Sequence, residues 1–239
     1  MKRVQMLNMH AKTAAPSQAQ PASTKQKPTS DVWESMGLDN KLSEKAVGLR
    51  KATGKMMDEI DDKLVPHFEA GTFPFWVIDK FKALKVNGLN IKGHGSPGLS
   101  TVEMGSIIFE IAKRDGSVAT FFLVHNAIGM AVIDALGDEE QKKRILPAAV
   151  NFDRIMAFGL TEPDNGSDAS ALKTTATKVE GGYKINGVKR WPGNATFSDI
   201  IVWARNTSDG NKVQGFLVEK GQKGFDPKKI EGKWSLRMT

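Results

Sequence analysis

An α+β fold, a helical bundle followed by an antiparallel β domain, is predicted by three features of the 239-residue sequence. Apolar residues recur at helical spacing from about Leu38 to Pro147. After Arg154 the period changes to two, and glycine-containing turn signals separate the strand-like runs. The chain divides on this basis into a basic tail (residues 1–33), a helical domain (34–150) and a β domain (151–239).

The first thirty residues are rich in Ala, Pro, Gln, Ser and Thr and lack an apolar core long enough for a secretory signal. They hold five of the 34 basic residues and no Asp or Glu, so they read as a disordered tail or, with one arginine only, a targeting segment. Five of the seven net positive charges reside there, and the remainder is nearly neutral, since 29 basic residues face 27 acidic ones. No basic stripe with interleaved aromatics follows, which excludes a nucleic-acid partner. The absence of cysteine excludes disulfides, thiolate nucleophiles and cysteine metal sites.

Leu42, Ala46, Leu49, Met56, Ile60 and Leu64 form one apolar stripe, and Pro66 is expected just past the end of that helix. A second helix is expected to start at Pro74, to carry Val77, Phe81 and Leu84 inward and to stop at Asn87-Gly88. Residues 91–98 read as a loop. Residues 101–114 and 117–136 predict two more helices, the latter apolar nearly all round. Asn126 and Asp134 interrupt it and argue for a bundle core rather than a membrane span. Asp138 then caps a short helix that Pro147 should end.

In the β part, TTATKVE and YKINGVK flank a two-residue turn at Gly181-Gly182, and DIIVWARN and VQGFLVEK flank a loop with Asp209-Gly210. The segment before the chain end is strand-like. Three Asn-x-Ser/Thr triplets, at Asn165, Asn194 and Asn206, read as chance matches without a secretory signal.

The richest stretch is Phe158-Gly-Leu-Thr-Glu-Pro-Asp-Asn-Gly-Ser-Asp168, a strand entering a turn with a hydroxyl at each end. Such a turn aims backbone N–H groups and the Thr161 and Ser167 hydroxyls at one spot, suited to a phosphate or a polarised ring edge. An ordinary surface turn with Asx-type hydrogen bonds has the same composition. His125 has no second histidine or carboxylate at ligand spacing and reads as a core histidine; no metal site is expected.

T-E-P-D-N-G-S-D, K-I-N-G-V-K-R-W and G-H-G-S-P-G-L-S together resemble the acyl-CoA dehydrogenase and oxidase family from about Leu38 to Arg237. Within it the chain is most similar to plant-type peroxisomal short-chain acyl-CoA oxidases and to glutaryl-CoA dehydrogenases, the latter through G-F-L-V-E-K-G and S-L-R. The resemblance implies FAD as cofactor and an acyl-CoA substrate, oxidised to the trans-2-enoyl-CoA in fatty acid β-oxidation. It implies that Phe158, Leu160, Thr161, Gly166 and Ser167 line the flavin, with Ser167 also near the CoA. Trp191 would lie against the flavin rings, a cross-strand packing Trp being the alternative. Relatives place Ser or Thr two residues after this Trp; here Gly193 follows Pro192, a departure that leaves a backbone contact and room for dioxygen.

Glutaryl-CoA enzymes carry an arginine where this sequence has Ala119-Thr120, so a plain fatty acyl chain is expected over a dicarboxylic one. Phe121 and Phe122 are expected to floor the acyl pocket or to belong to the bundle core. Glu162 is structural in the family. The family's catalytic glutamate sits in a C-terminal helical domain, so no catalytic residue is assigned within residues 1–239, and the β domain is expected to be incomplete at its C-terminal end. The resemblance further implies a homo-oligomer at full length and a peroxisomal or mitochondrial matrix location. A non-catalytic acyl-CoA-binding or interaction module derived from the family is the alternative.

Overall fold

The computed structural model describes residues 31–239, so the reading of residues 1–30 lies outside the described residues. Residues 31–41 belong to a unit separate from Leu42–Thr239. They hold α1 (Val32–Ser35), capped by the Asp31 carboxylate on the Trp33 N–H at 3.0 Å, and a 3-10 turn at Leu38–Lys41.

In the larger unit, α2 (Glu44–Ala70) starts at the N-cap Ser43 and buries Ala46, Met56, Ile60 and Leu64, as the apolar stripe predicts; Met57, outside that stripe, is buried too, and Leu42 and Leu49 are half-buried. Burial of each large side chain contributes roughly 1.5–3 kcal/mol relative to exposure. The helix runs through Pro66 instead of ending before it. Pro66 and Asp62, whose carbonyl loses its donor, are both exposed, so that carbonyl is open to solvent. The end comes at Gly71, where φ is 61° and the Thr72 N–H returns to the His67 carbonyl at 2.9 Å. Next, α3 (Val77–Leu84) begins after a turn in which the Val77 N–H reaches the Pro74 carbonyl, and it ends at left-handed Lys85.

A capping box of Ser100 and Glu103 opens α4 (Thr101–Ala112). The Glu103 carboxylate also accepts from the Ser43 N–H at 3.0 Å and from its hydroxyl, which ties the start of α4 to the start of α2. Deeper in, the same two helices are joined by the buried Arg50–Glu110 pair at 2.7 Å.

Gly116–Leu136 forms α5, long and apolar enough to cross a membrane by length and composition. Its faces are used by the bundle instead, for Val118, Phe121, Phe122, His125, Asn126 and Met130 are all buried. Its middle, Val124–Met130, is a π-helix that the apolar pattern does not reveal. Finally α6 (Glu139–Val150), boxed by Asp138 and Gln141, runs through the exposed Pro147 instead of stopping there.

The sheet contains β1 (Met156–Gly159), β2 (Thr175–Val179), β3 (Gly182–Asn186), β4 (Asp199–Asn206) and β5 (Lys212–Val218). The sequence-adjacent pairs β2–β3 and β4–β5 are antiparallel hairpins, as expected. The sheet as a whole is mixed, because β1 and β2 lie end to end along one edge of β4, both parallel to it. Periodicity reports burial, and the direction of a non-local pair is not contained in it. The first hairpin turns at Glu180-Gly181 rather than Gly181-Gly182: Val179 pairs with Gly182, and Gly181 has a φ of 75°.

Residues 219–239 form no strand or helix, in contrast to the strand-like reading of the end. They return to the bundle, where the Arg237 guanidinium donates to the Phe68 and Glu69 carbonyls at 2.9 and 2.8 Å and Met238 enters the core.

Candidate functional site

β1 is delivered to its position by α5. An ideal Cβ on Gly129, in the π segment, would stand 2.5 Å from the Met156 Cβ, so only glycine lets the strand approach this closely. Beside it, His125 is fully buried; its Nδ1 accepts from the Met156 N–H at 3.0 Å and its Nε2–H faces the Ala149 carbonyl at 3.1 Å. Burial lowers its pKa to about 3 against the pull of that carbonyl, so the ring is the neutral Nε2–H tautomer, a strut between α5, α6 and β1.

Phe158 is half-buried with its ring 5.9 Å from that of Trp203. Leu160 and Thr161, also half-buried, leave the strand, while Gly166 and Ser167 are exposed at the tip of the turn. The Glu162 N–H donates to the Asn165 carbonyl at 2.9 Å and closes the turn from within.

The Glu162 carboxylate, 4% exposed, holds the rest. It accepts from the Lys173 N–H at 2.6 Å, the Thr174 N–H at 2.9 Å, the Lys189 ammonium at 2.8 Å and the Asn165 amide at 3.4 Å. Burial pushes this carboxyl up, but the hydrogen bonds from Lys189, Thr174 and Lys173 outweigh it and hold the pKa at about 2. Burial draws Lys189 below its ordinary value, against Glu162 beside it. The two shifts pull the pair in opposite senses, and the four donors on Glu162 decide for the charged form.

Through these contacts the segment after β3 lies along the turn. Lys189 also donates to the Leu160 carbonyl at 2.9 Å, and the Arg190 N–H donates to the Thr161 carbonyl at 2.8 Å. Trp191 follows, outside every strand and 58% exposed, with a φ of 69°. The cross-strand packing alternative does not describe it. A bulky residue in the left-handed region costs on the order of 1–3 kcal/mol and persists where its surroundings over-determine it. Gly193 is half-buried; a Cβ there would meet the Thr239 hydroxyl at 3.2 Å and a Val124 methyl at 3.4 Å. Asn194, 1% exposed, donates to the Phe121 carbonyl at 3.1 Å and accepts from the Thr239 hydroxyl at 3.0 Å, fixing the segment to α5.

The structure thus bonds the Thr161 carbonyl to the residue before Trp191 and sets Gly193 against the π segment. Ala119 lies in the bundle core at 7% exposure, with half-buried Thr120 next to it in α5. Phe121 and Phe122 are fully buried, their rings 4.4 Å from Phe73 and 4.8 Å from Phe81, which is bundle-core packing. Among the described residues no group of three or more His, Asp or Glu is placed to hold a metal. Asn194 and Asn206 are buried, so two of the three glycosylation triplets are inaccessible. Lys189, Asn194 and the hub role of Glu162 escape a reading of the sequence, because apart from Asn165 their partners are 11 to 73 residues away.

Comparison with known proteins decides the family. The acyl-CoA dehydrogenase N-terminal domain matches residues 43–153 and the acyl-CoA dehydrogenase middle domain matches residues 157–239. The chain belongs to the acyl-CoA dehydrogenase family. An acyl-CoA dehydrogenase from Bacillus subtilis is 36% identical over 168 residues, 69% of this chain and 44% of the relative. The structure of a glutaryl-CoA dehydrogenase from Mycobacterium smegmatis in complex with FADH2 superposes with a TM-score of 0.79 at 30% identity, covering 86% of this chain and 53% of that one. An acyl-CoA dehydrogenase from Bacillus anthracis complexed with FAD superposes with a TM-score of 0.72 at 29% identity, over 83% of this chain and 34% of that one. The chain therefore spans about half or less of the length of these acyl-CoA dehydrogenases.

Proposed function

We propose that this chain supplies the flavin- and thioester-facing surface of an FAD-dependent enzyme that oxidises a fatty acyl-CoA to the trans-2-enoyl-CoA. The observation that carries the reading is the joining of the Leu160–Ser167 turn to Trp191 by Glu162 and the Arg190 N–H, in a chain similar to FAD-containing structures. The residues fit the cofactor. Thr161 offers a hydroxyl for the isoalloxazine edge, exposed Ser167 and the open space at Gly166 leave the turn accessible to a pyrophosphate, and the Trp191 indole presents a flat apolar surface.

When bound, FAD supplies the hydride acceptor for the β-hydrogen. This chain's own residues bind and orient: Thr161 and Trp191 fix the ring plane, Ser167 meets the CoA side, and Trp191 screens the ring from water. Glu162 is no general base, because it is buried, held ionised near pKa 2 and saturated by four donors. We assign the base to the part of the relatives that this chain does not span.

A plain acyl chain is the proposed substrate, since Ala119 and Thr120 offer no cation to a distal carboxylate. Oxidase chemistry is the finer proposal and rests on Gly193. Gly193→Thr leaving oxygen reactivity of the holoenzyme unchanged removes it, and the tight approach of Thr239 and Val124 then stands as the sole reason for glycine.

Hydrogen exchange of the chain at saturating FAD tests the main reading. Protection is expected at residues 158–167 and 189–193; protection confined to other segments sinks it.

A further inference from the structure

The geometry points to Arg190 as the positioning residue that props the Trp191 indole outward for a planar heteroaromatic ligand. This rests on the proposed flavin reading of Trp191 and adds to it the group that holds the ring in place.

The Arg190 guanidinium stands over the Trp191 ring at 4.4 Å from its centroid, within cation–π range. Its own backbone is fixed, since its N–H is bonded to the Thr161 carbonyl at 2.8 Å. Among the described residues no carboxylate pairs with it, so its charge is directed at the indole. The segment is pinned before the indole by Lys189 on Leu160 and Glu162, and after it by the buried Asn194. Trp191 itself is left-handed at a φ of 69° and 58% exposed, and Pro192 beyond it has a fixed φ and no N–H to give.

A strained, outward-facing tryptophan with a cation behind one face offers its other face to a ligand. Without the guanidinium the indole is free to rotate about χ1 and χ2, and binding must then order it. The stacking partner suited to such a surface is a flat, electron-poor ring system; FAD is the probe.

The test uses the chain labelled with 5-fluorotryptophan, whose five tryptophans give separate fluorine resonances, that of Trp191 being assigned by Trp191→Phe. In Arg190→Gln the Trp191 resonance is expected to narrow and move toward that of the free amino acid, with the other four unchanged. The FAD concentration at half-maximal shift rises about two- to fivefold, and Arg190→Lys restores most of both effects because an ammonium also sits over an indole. An unaltered Trp191 resonance in Arg190→Gln overturns the inference, whatever FAD does. If the wild-type Trp191 resonance ignores saturating FAD, the flavin reading of Trp191 fails instead, and the ligand-free comparison still decides the role of Arg190.

Discussion

Glu162 and His125 show how single buried groups position this site, and both make stability depend on pH. Glu162 titrates near 2 in the fold against 4.5 ordinarily, so its contribution is present above about pH 4.5 and lost as pH falls toward 2. Glu162→Gln leaves Lys189 buried without its counter-charge and is expected to cost about 3 kcal/mol, read as a lowered denaturant midpoint at pH 7. His125 stays neutral down to about pH 3, whereas the unfolded chain takes up a proton near 6.5. Its stabilisation is full above 6.5 and declines as pH falls below that value, before most carboxylates titrate. In His125→Leu the slope of melting temperature on pH between about 6.5 and 5 flattens; an unchanged slope refutes the strut.

Among the elements, α5 does more than fill the bundle. Its π segment brings His125 and Gly129 to the start of β1, and Gly129→Ala is expected to destabilise the fold by about 1–3 kcal/mol, because the new methyl meets Met156 and the Val124 carbonyl. Thermal unfolding measures this directly. At the end of α2, Arg237→Ala removes donors from the Phe68 and Glu69 carbonyls and is expected to cost about 1 kcal/mol, with faster amide exchange confined to the last turn of α2 and residues 233–239. The two proline misreadings belong to this scale as well. Pro66 and Pro147 mark helix ends by local rules, yet both helices continue because packing of their buried faces outweighs one missing hydrogen bond on an exposed one.

For the whole molecule, the candidate site is assembled from the turn after β1, the segment after β3 and the middle of α5. We expect the 239-residue chain alone to lose FAD on gel filtration and to show no turnover of an acyl-CoA; a yellow, active preparation overturns that expectation. The helices, the two hairpins and the Thr161–Ser167 turn were legible from spacing and turn chemistry, since these are local properties of neighbouring residues. The flavin-facing roles proposed for Thr161 and Trp191 rest on resemblance, carried by motifs of consecutive residues.

What the sequence alone determined is therefore the order of the main helices and of the two hairpins, because hydrophobic period and turn residues act over a few positions, while the family followed from the resemblance its motifs carry. The parallel seating of β1 and β2 on β4, the π segment in α5, and the gathering of Glu162, Lys189 and Asn194 around one turn were decided by tertiary structure. Each depends on close approach between groups far apart in the chain, and no local pattern encodes such an approach.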